Sequence, residues 1–225
     1  MQQSPWHTGP YAELAGALLP TDDPRPALPL PQLLRAETLE RLLLQVYGPA
    51  LMPSQRPVLV SQWSKYYFMR WLPAMLVTQL AYGWHLPLQL WQIALVLDER
   101  GLPVGIKPLE EGEADDPQAS LEPWVAVNLR PFVEALSRYG EVPAAVLWGN
   151  AGDYLEQSMQ RLRALGLKTL GPVEALLGMR RLADGRSNPL YAPVSYAGDG
   201  RRQRRTCCLS YKVQAIGHCE HCPLL

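Results

Sequence analysis

Residues 60–83 read VSQWSKYYFMRWLPAMLVTQLAYG, and this run sets the helical character of the fold. Apolar side chains recur in it at helical spacing, Ser61 is suited to cap the first turn, and Gly83 is suited to end the last one. Pro73 lies inside the pattern and interrupts helical hydrogen bonding, so we expect it to kink the helix or divide it in two.

Further helices are predicted from the same spacing of apolar residues and from terminators such as Gly48-Pro49. They cover residues 32–47, 128–140, 143–166 and 171–182. Residues 88–97 and 102–107 are rich in β-forming side chains and flank an Asp-Glu-Arg-Gly turn, which indicates an antiparallel hairpin. The predicted fold class is α+β, predominantly helical: a single domain with a small antiparallel β-hairpin and a C-terminal cysteine-rich tail.

Three parts are expected along the chain. Residues 1–57 combine a first helix with a Pro-rich arm, because closely spaced prolines favour extended backbone laid over the body. Residues 58–200 form the helical body. Residues 201–225 form the tail, which follows a connector rich in Gly, Pro, Asn, Ser and Arg.

The composition disfavours several classes of function. The formal net charge is zero, so the chain has no overall attraction to nucleic acid or to a membrane surface. The start shows no secretory signal, and the most apolar stretch, residues 71–97, is interrupted before it reaches the ~18 apolar residues of a bilayer span. We therefore expect a cytoplasmic protein with reduced thiols, no membrane span and no nucleic-acid partner, and leave peripheral contact with the inner membrane open.

All four cysteines lie in the closing segment RRTCCLSYKVQAIGHCEHCPLL, residues 204–225: they are Cys207, Cys208, Cys219 and Cys222. Reduced thiols and the strain of pairing adjacent cysteines argue against disulfides, and unrelated thiols would be scattered along the chain. Structural zinc and an iron–sulfur cluster remain. Only residues 219–222 form the C-x-x-C turn typical of zinc, while four thiolates are the usual complement of a cluster. The spacing alone does not separate these two interpretations.

The pattern C-C-x10-C-x-x-C followed by Pro-Leu resembles the C-terminal motif of the ferric-siderophore reductase family (FhuF-like proteins). Four stretches agree with this resemblance, which covers most of the chain from about residue 58: SQWSKYY from residue 61, LWGNAGDYL from 147, NPLY from 188 and RRTCCLSY from 204. The resemblance implies that the four cysteines bind a [2Fe–2S] cluster, which passes single electrons to Fe(III) in a bound siderophore and so releases Fe(II). It also implies a siderophore-binding body, residues 58–200, and an electron donor such as a ferredoxin or a flavoprotein.

A one-electron reduction needs no general acid, base or nucleophile, so we predict no catalytic side chain besides the cluster ligands. Trp63, Tyr66, Tyr67 and Arg70 share one face of the predicted helix. Such aromatic stripes usually face a core, yet an arginine beside aromatic rings also suits a bulky metal chelate. We therefore take Trp63, Tyr66, Arg70 and, from the WGN stretch, Asn150 as candidate substrate-binding residues.

Two polar features of the tail have alternative interpretations. Arg201, Arg202, Arg204 and Arg205 form either a solvated connector or a docking patch for an anionic siderophore or an acidic electron donor. His218 and His221 are either exposed loop residues, or imidazoles that contact or replace a cluster ligand.

Two further functions stay open at this stage. One is a zinc-stapled binding module without redox activity. The other is a siderophore-binding domain related to siderophore synthetases.

Overall fold

Helices make up most of the regular structure that a computed structural model gives for residues 5–225. The helices are α1 Ala12–Ala15, α2 Leu30–Leu33, α3 Ala36–Tyr47, α4 Met52–Leu76, α5 Glu122–Trp124, α6 Arg130–Gly140, α7 Ala144–Ala164 and α8 Gly171–Gly178. The strands are β1 Leu28–Pro29, β2 Trp84–His85, β3 Ile93–Leu97, β4 Pro103–Pro108, β5 Glu113–Ala114, β6 Val194–Tyr196 and β7 Arg202–Arg204. The predicted α+β, predominantly helical single domain is confirmed. The first four residues of the predicted arm lie outside the described residues.

Helix α4 is the central element of the core. It packs along α7, and α3, α6 and β4 also contact it. Trp63, Phe68 and Trp71 are at most 1 % exposed on this helix, and burying each such side chain contributes about 1.5–3 kcal/mol. The predicted helix is therefore present, and its apolar residues bind the other elements together.

The predicted start of this helix is wrong. α4 begins at Met52, and Ser61 lies buried inside it rather than at its N-cap. Pro53 falls in the first turn, where a missing N–H costs nothing. Pro57 and Pro73 lie inside the helix, which is not divided at Pro73 and passes into a π-helical turn over Val77–Ala81. The buried apolar residues around the prolines offset the lost hydrogen bonds.

The predicted hairpin is confirmed as β3 and β4, whose register pairs Ile93 with Pro108. β1 from the Pro-rich segment adds to β3 in an antiparallel pair, so the sheet order is β1-β3-β4. Leu14 and Leu18, from the same segment, are buried in the common core. The expected boundary between residues 57 and 58 falls inside α4.

An antiparallel hairpin, β6 and β7, joins the connector to the C-terminal tail, and Val194 pairs with Arg204 in it. Two glycines of α7 let this region approach the helix backbone. A Cβ atom on Gly149 would lie 2.7 Å from the Thr206 Cβ, and one on Gly152 would lie 2.5 Å from the Pro193 Cβ. Because such distances are too short for carbon atoms, the tail and the connector before it can occupy these positions only against glycine.

In the described range, no helix combines the length and apolar character that crossing a membrane requires.

The glycine contacts generate a first prediction. Gly149→Ala and Gly152→Ala should each lower the free energy of unfolding by about 1–3 kcal/mol, since the added methyl overpacks the contact. They should also speed amide hydrogen exchange in the tail, because the tail must move outward. Thermal unfolding and hydrogen exchange followed by mass spectrometry measure both effects.

Gly178→Ala is the matched control, because a Cβ atom at this helical position meets nothing within 4 Å. Its stability should stay unchanged or rise by up to about 1 kcal/mol. Equal behaviour of all three variants would show that the tail does not rest on α7 as described.

Candidate metal centre

Two short loops of the tail carry the four cysteines. Cys207 and Cys208 follow β7, and Leu209, with φ +65°, turns the chain into a 3-10 turn over Ser210–Lys212. Cys219 and Cys222 enclose a tight turn in which the Cys222 N–H donates to the Cys219 carbonyl at 3.2 Å. Each loop therefore presents one pair of thiols.

The four thiols are free and lie close enough to influence one another. Cys208 and Cys222 are buried, whereas Cys207 and Cys219 are half-buried. Burial raises the pKa of Cys219, and the neighbouring Cys208 sulfur raises it further. Burial likewise raises the pKa of Cys207, with smaller contributions from Cys208 and Cys222. Thiols from both loops thus belong to one group.

Hydrogen-bonding groups that are able to donate lie beside three of the sulfurs. The Leu209 N–H donates to the Cys207 Sγ at 3.3 Å, and the Ser210 Oγ lies 3.4 Å from the Cys208 Sγ. The His218 Nδ1 lies 3.2 Å from the Cys222 Sγ. Such donors stabilise sulfur in its anionic, ligand form.

Two cations add to this effect. Burial alone would raise the pKa of Cys208, but the Ser210 hydroxyl and the Lys65 ammonium outweigh it, and the pKa of this thiol is lowered. The Arg204 guanidinium lies near Cys207 and Cys219 and favours their thiolates. The local field therefore favours the thiolate of Cys208, while at Cys207 and Cys219 the guanidinium offsets only part of the rise in pKa.

This donor set fits a [2Fe–2S] cluster, in which each of two irons takes two protein thiolates. The two loops supply four reduced cysteines, and nearby donors and cations offset the negative charge of the ligands. Within residues 5–225, the side chains do not by themselves form a metal-binding group of three or more His, Cys, Asp or Glu, so the fit rests on the kind and number of donors and not on their spacing.

A chain of buried hydrogen bonds fastens the first cysteine loop to the body. The Cys208 carbonyl accepts from the Ser61 Oγ at 2.9 Å and from the Gln62 Nε2 at 3.0 Å, both on α4. Asn150 on α7 donates through its Nδ2 to the Ser61 carbonyl at 2.9 Å, and its Oδ1 accepts from the Arg204 Nη2 at 2.6 Å. One asparagine thus joins α4, α7 and β7 directly beneath the loop.

Buried ion pairs reinforce this attachment. Arg202 lies 2.7 Å from Asp153 and 2.8 Å from Glu156, and Arg204 lies 3.5 Å from Asp153. The side chains of all four residues are at most 12 % exposed. Removing one partner from such a group leaves an uncompensated buried charge, which is strongly destabilising. We call these four residues and Asn150 the polar clamp.

The structure separates the candidate substrate-binding residues. Tyr66 and Arg70 are half-buried on α4, in the stretch that also carries Lys65. Trp63 is 1 % exposed and donates its indole N–H to the Gly101 carbonyl at 3.3 Å, so it belongs to the core. Asn150 is fully buried, so its place is beneath the cysteines rather than in contact with a substrate.

The four arginines before the cysteines are divided in the same way. Arg201 and Arg205 are exposed, whereas Arg202 and Arg204 turn inward to the polar clamp. The physical reason is the pair of buried carboxylates on α7, which require compensating charge. Of the four arginines, Arg201 and Arg205 are thus the two that are exposed to solvent.

The two histidines also differ. His218 contacts the Cys222 sulfur, and its ring stacks on Tyr211 at a centroid distance of 5.5 Å. The His221 ring lies 3.8 Å from Glu220 on the surface, while its backbone carbonyl accepts from the Arg204 N–H. A contact between imidazole and a ligand sulfur is thus present at His218.

Several supporting residues were missed by the sequence analysis. Ser61, Gln62 and Lys65 lie in SQWSKYY, and Asp153 and Glu156 lie in or just after LWGNAGDYL. Their signal was present, since polar side chains recur there among apolar ones at helical spacing. Their partners were not visible, because they lie far away along the chain.

Comparisons with known families and proteins agree with this geometry. Residues 61–204 match the family described as ferric iron reductase FhuF-like transporter, and residues 204–224 match the FhuF 2Fe-2S C-terminal domain. The ferric siderophore reductase of Escherichia coli (strain K12) is 33 % identical over 112 residues, which cover 48 % of this chain and 42 % of that protein. The chain thus aligns with less than half the length of this curated relative.

The polar clamp generates a second prediction, tested on adjacent arginines. Arg204→Gln should lower the free energy of unfolding by about 2–4 kcal/mol, because it leaves buried acceptors without their charged partner. It should also reduce the iron bound per chain. Urea unfolding and iron analysis measure the two effects.

Arg205→Gln removes the same charge from an exposed side chain. We expect its stability to change by less than about 0.5 kcal/mol and its iron content to stay at the wild-type level. If Arg204→Gln were no worse than Arg205→Gln, the clamp would not hold the tail.

Proposed function

Because this chain belongs to the FhuF-like ferric iron reductase family, with that family's [2Fe–2S] domain at residues 204–224, we propose that it reduces the Fe(III) of a bound siderophore to Fe(II) in the cytoplasm. The observation that carries the proposal is the set of four free thiols on the two tail loops, where thiols of one loop lie within electrostatic reach of thiols of the other. The proposed enzyme class is an oxidoreductase acting on chelated iron.

The coordination chemistry explains why one electron is enough. Hydroxamate and catecholate oxygens are hard donors, which hold Fe(III) far more tightly than Fe(II). When bound, the [2Fe–2S] cluster supplies one electron at a time, and an external donor such as a ferredoxin or a flavoprotein replaces it. The siderophore iron gains that electron, its ligands loosen, and no covalent bond of the siderophore is broken. The protein's side chains therefore only need to bind the siderophore, to position it and to shield it from solvent.

We place the substrate on the outer face of α4, beside the cysteines. Lys65 acts on the Cys208 sulfur and lies near Cys219, and Tyr66 and Arg70 continue along the same helix. The pKa of Tyr154 is raised to about 12, mainly by burial. Cys208 and Tyr66 lie close enough to Tyr154 to raise this pKa further. Aromatic rings with flanking cations suit a bulky chelate that carries negative charge.

The electron donor has a separate surface in this proposal. Arg201 and Arg205 are exposed on either side of β7, the strand that leads to Cys207, although Asp199 lies 3.8 Å from Arg201. Positive charge beside a redox centre favours encounter with an acidic partner and makes the rate sensitive to salt. Reduction by the donor should therefore slow as ionic strength rises.

The function is tested on protein purified without oxygen. We expect about two irons and two sulfides per chain and the visible and electron paramagnetic resonance spectra of a [2Fe–2S] centre. After chemical reduction, addition of a ferric hydroxamate or a ferric catecholate should reoxidise the protein while an Fe(II)-specific dye captures the released iron. A colourless zinc protein, or a reduced cluster that leaves both chelates untouched, would contradict the proposal.

The substrate surface generates a third prediction. The double variant Lys65→Gln, Arg70→Gln should lower the second-order rate of reduction of an anionic ferric catecholate by about tenfold, since two attractive charges are lost. A neutral ferric hydroxamate should be affected less. Stopped-flow reoxidation of the reduced protein measures both rates.

Lys168→Gln serves as the control, because this lysine is exposed beyond the far end of α7. Its rates should match those of the wild type. An equal loss for both chelates in the double variant would indicate a damaged cluster site rather than a lost docking charge.

A further inference from the structure

His218 is the side chain whose ring nitrogen meets a cluster ligand. Its Nδ1 lies 3.2 Å from the Cys222 Sγ, a hydrogen-bond distance for a sulfur acceptor. Cys222 is 4 % exposed, so water has little access to this sulfur. A thiolate ligand carries no proton, so Nδ1 must carry the hydrogen for the contact to be favourable.

The orientation of the His218 imidazole is set by the loop that carries Cys207 and Cys208. Tyr211 stacks on the His218 ring at 5.5 Å with an interplanar angle of 15°. Tyr211 belongs to the 3-10 turn Ser210–Lys212, which directly follows Cys207 and Cys208. One loop therefore supplies the platform, and the other supplies the ring and the ligand that it contacts.

We propose that His218 is a positioning residue that donates its Nδ1–H to the Cys222 sulfur and thereby raises the reduction potential of the cluster. Reduction adds one negative charge to the iron–sulfur unit. A fixed N–H dipole stabilises the more negative state more strongly, as do other hydrogen bonds to cluster sulfurs. The inference rests on the proposed [2Fe–2S] centre and deepens the proposed function, because the potential decides which ferric chelates can be reduced.

His221 supplies the contrast within the same turn. It is adjacent to Cys222 in the sequence, yet its ring lies beside Glu220, and the hydrogen bonds to sulfur among the described residues do not involve it. The contacts of Cys207 with the Leu209 N–H and of Cys208 with the Ser210 hydroxyl involve neither histidine, so they stay unchanged when either histidine is replaced. A difference between the two positions can therefore be assigned to the His218 contact.

The test compares reduction potentials of the cluster-loaded full chain by spectroelectrochemistry. His218→Phe keeps a ring for Tyr211 to stack on but removes the donor, and it should lower the equilibrium constant for reduction about tenfold, or about 59 mV for one electron. His218→Asn places an amide N–H where Nδ1 was and should restore most of the wild-type potential. His221→Phe should leave the potential at the wild-type value.

Tyr211→Leu tests the same inference in a second way. It removes the ring on which His218 stacks and keeps every side chain and N–H group that contacts a cysteine sulfur. Its potential should shift in the same direction as that of His218→Phe, by a smaller amount. Both residues are exposed, so neither substitution opens the core. Electron paramagnetic resonance of the reduced protein should change in the Phe variant and return toward wild type in the Asn variant.

Three outcomes would overturn the inference: an unchanged potential in His218→Phe, an equal shift in the Phe and Asn variants, or an equal shift in His221→Phe. The potentials are measured without siderophore. A loaded cluster that follows the expected pattern but leaves ferric chelates unreduced would contradict the proposed function alone.

Discussion

The hydrogen bonds of Asn150 are the constraint on which the rest of the site depends. This one side chain is fully buried and contacts Ser61 on α4 and Arg204 on β7. Ser61 in turn donates to the carbonyl of Cys208. A buried amide must satisfy its donors and acceptor, so these partners are held in one arrangement. The position of the first cysteine pair is therefore tied to the packing of α4 against α7.

The stretches that carry the family resemblance all lie around this arrangement. SQWSKYY provides the donors to the Cys208 carbonyl, and LWGNAGDYL provides the glycine surface, Asn150 and Asp153. In NPLY, Asn188 donates to the carbonyls of Leu176 and Met179 and so holds the segment that contacts Gly152. These stretches thus supply much of the support for the tail.

Structural features that depend on neighbouring residues were predicted correctly from the sequence. Features that depend on contacts between residues far apart in the chain were not. The hairpin β3–β4 and the long helices were found, because turn residues and apolar spacing are local signals. Ser61 was taken as an N-cap because its actual partner, the Cys208 carbonyl, is 147 residues away. Arg202 and Arg204 were expected at the surface because their carboxylate partners lie on another helix. Non-local burial, and not local preference, fixed these positions.

The four cysteines form two pairs that differ in their exposure to solvent. The buried Cys208 and Cys222 face the protein, while the half-buried Cys207 and Cys219 lie nearer to solvent. Electron transfer needs one edge of a cluster close to its partner and the other firmly held. The polar clamp supplies the second condition, and the surface formed by Lys65, Tyr66 and Arg70 is our candidate for the first.

The central claim is that the buried contacts of Asn150 hold the cluster-binding loops in place. The most direct measurement is the rate at which cluster absorbance disappears when a strong iron chelator is added to wild-type, Ser61→Ala, Asn150→Ala and doubly substituted protein. We predict faster loss in each single variant and little additional loss in the double variant, because residues in one network do not act independently. A cluster that persists in Asn150→Ala for as long as in the wild type would contradict the account.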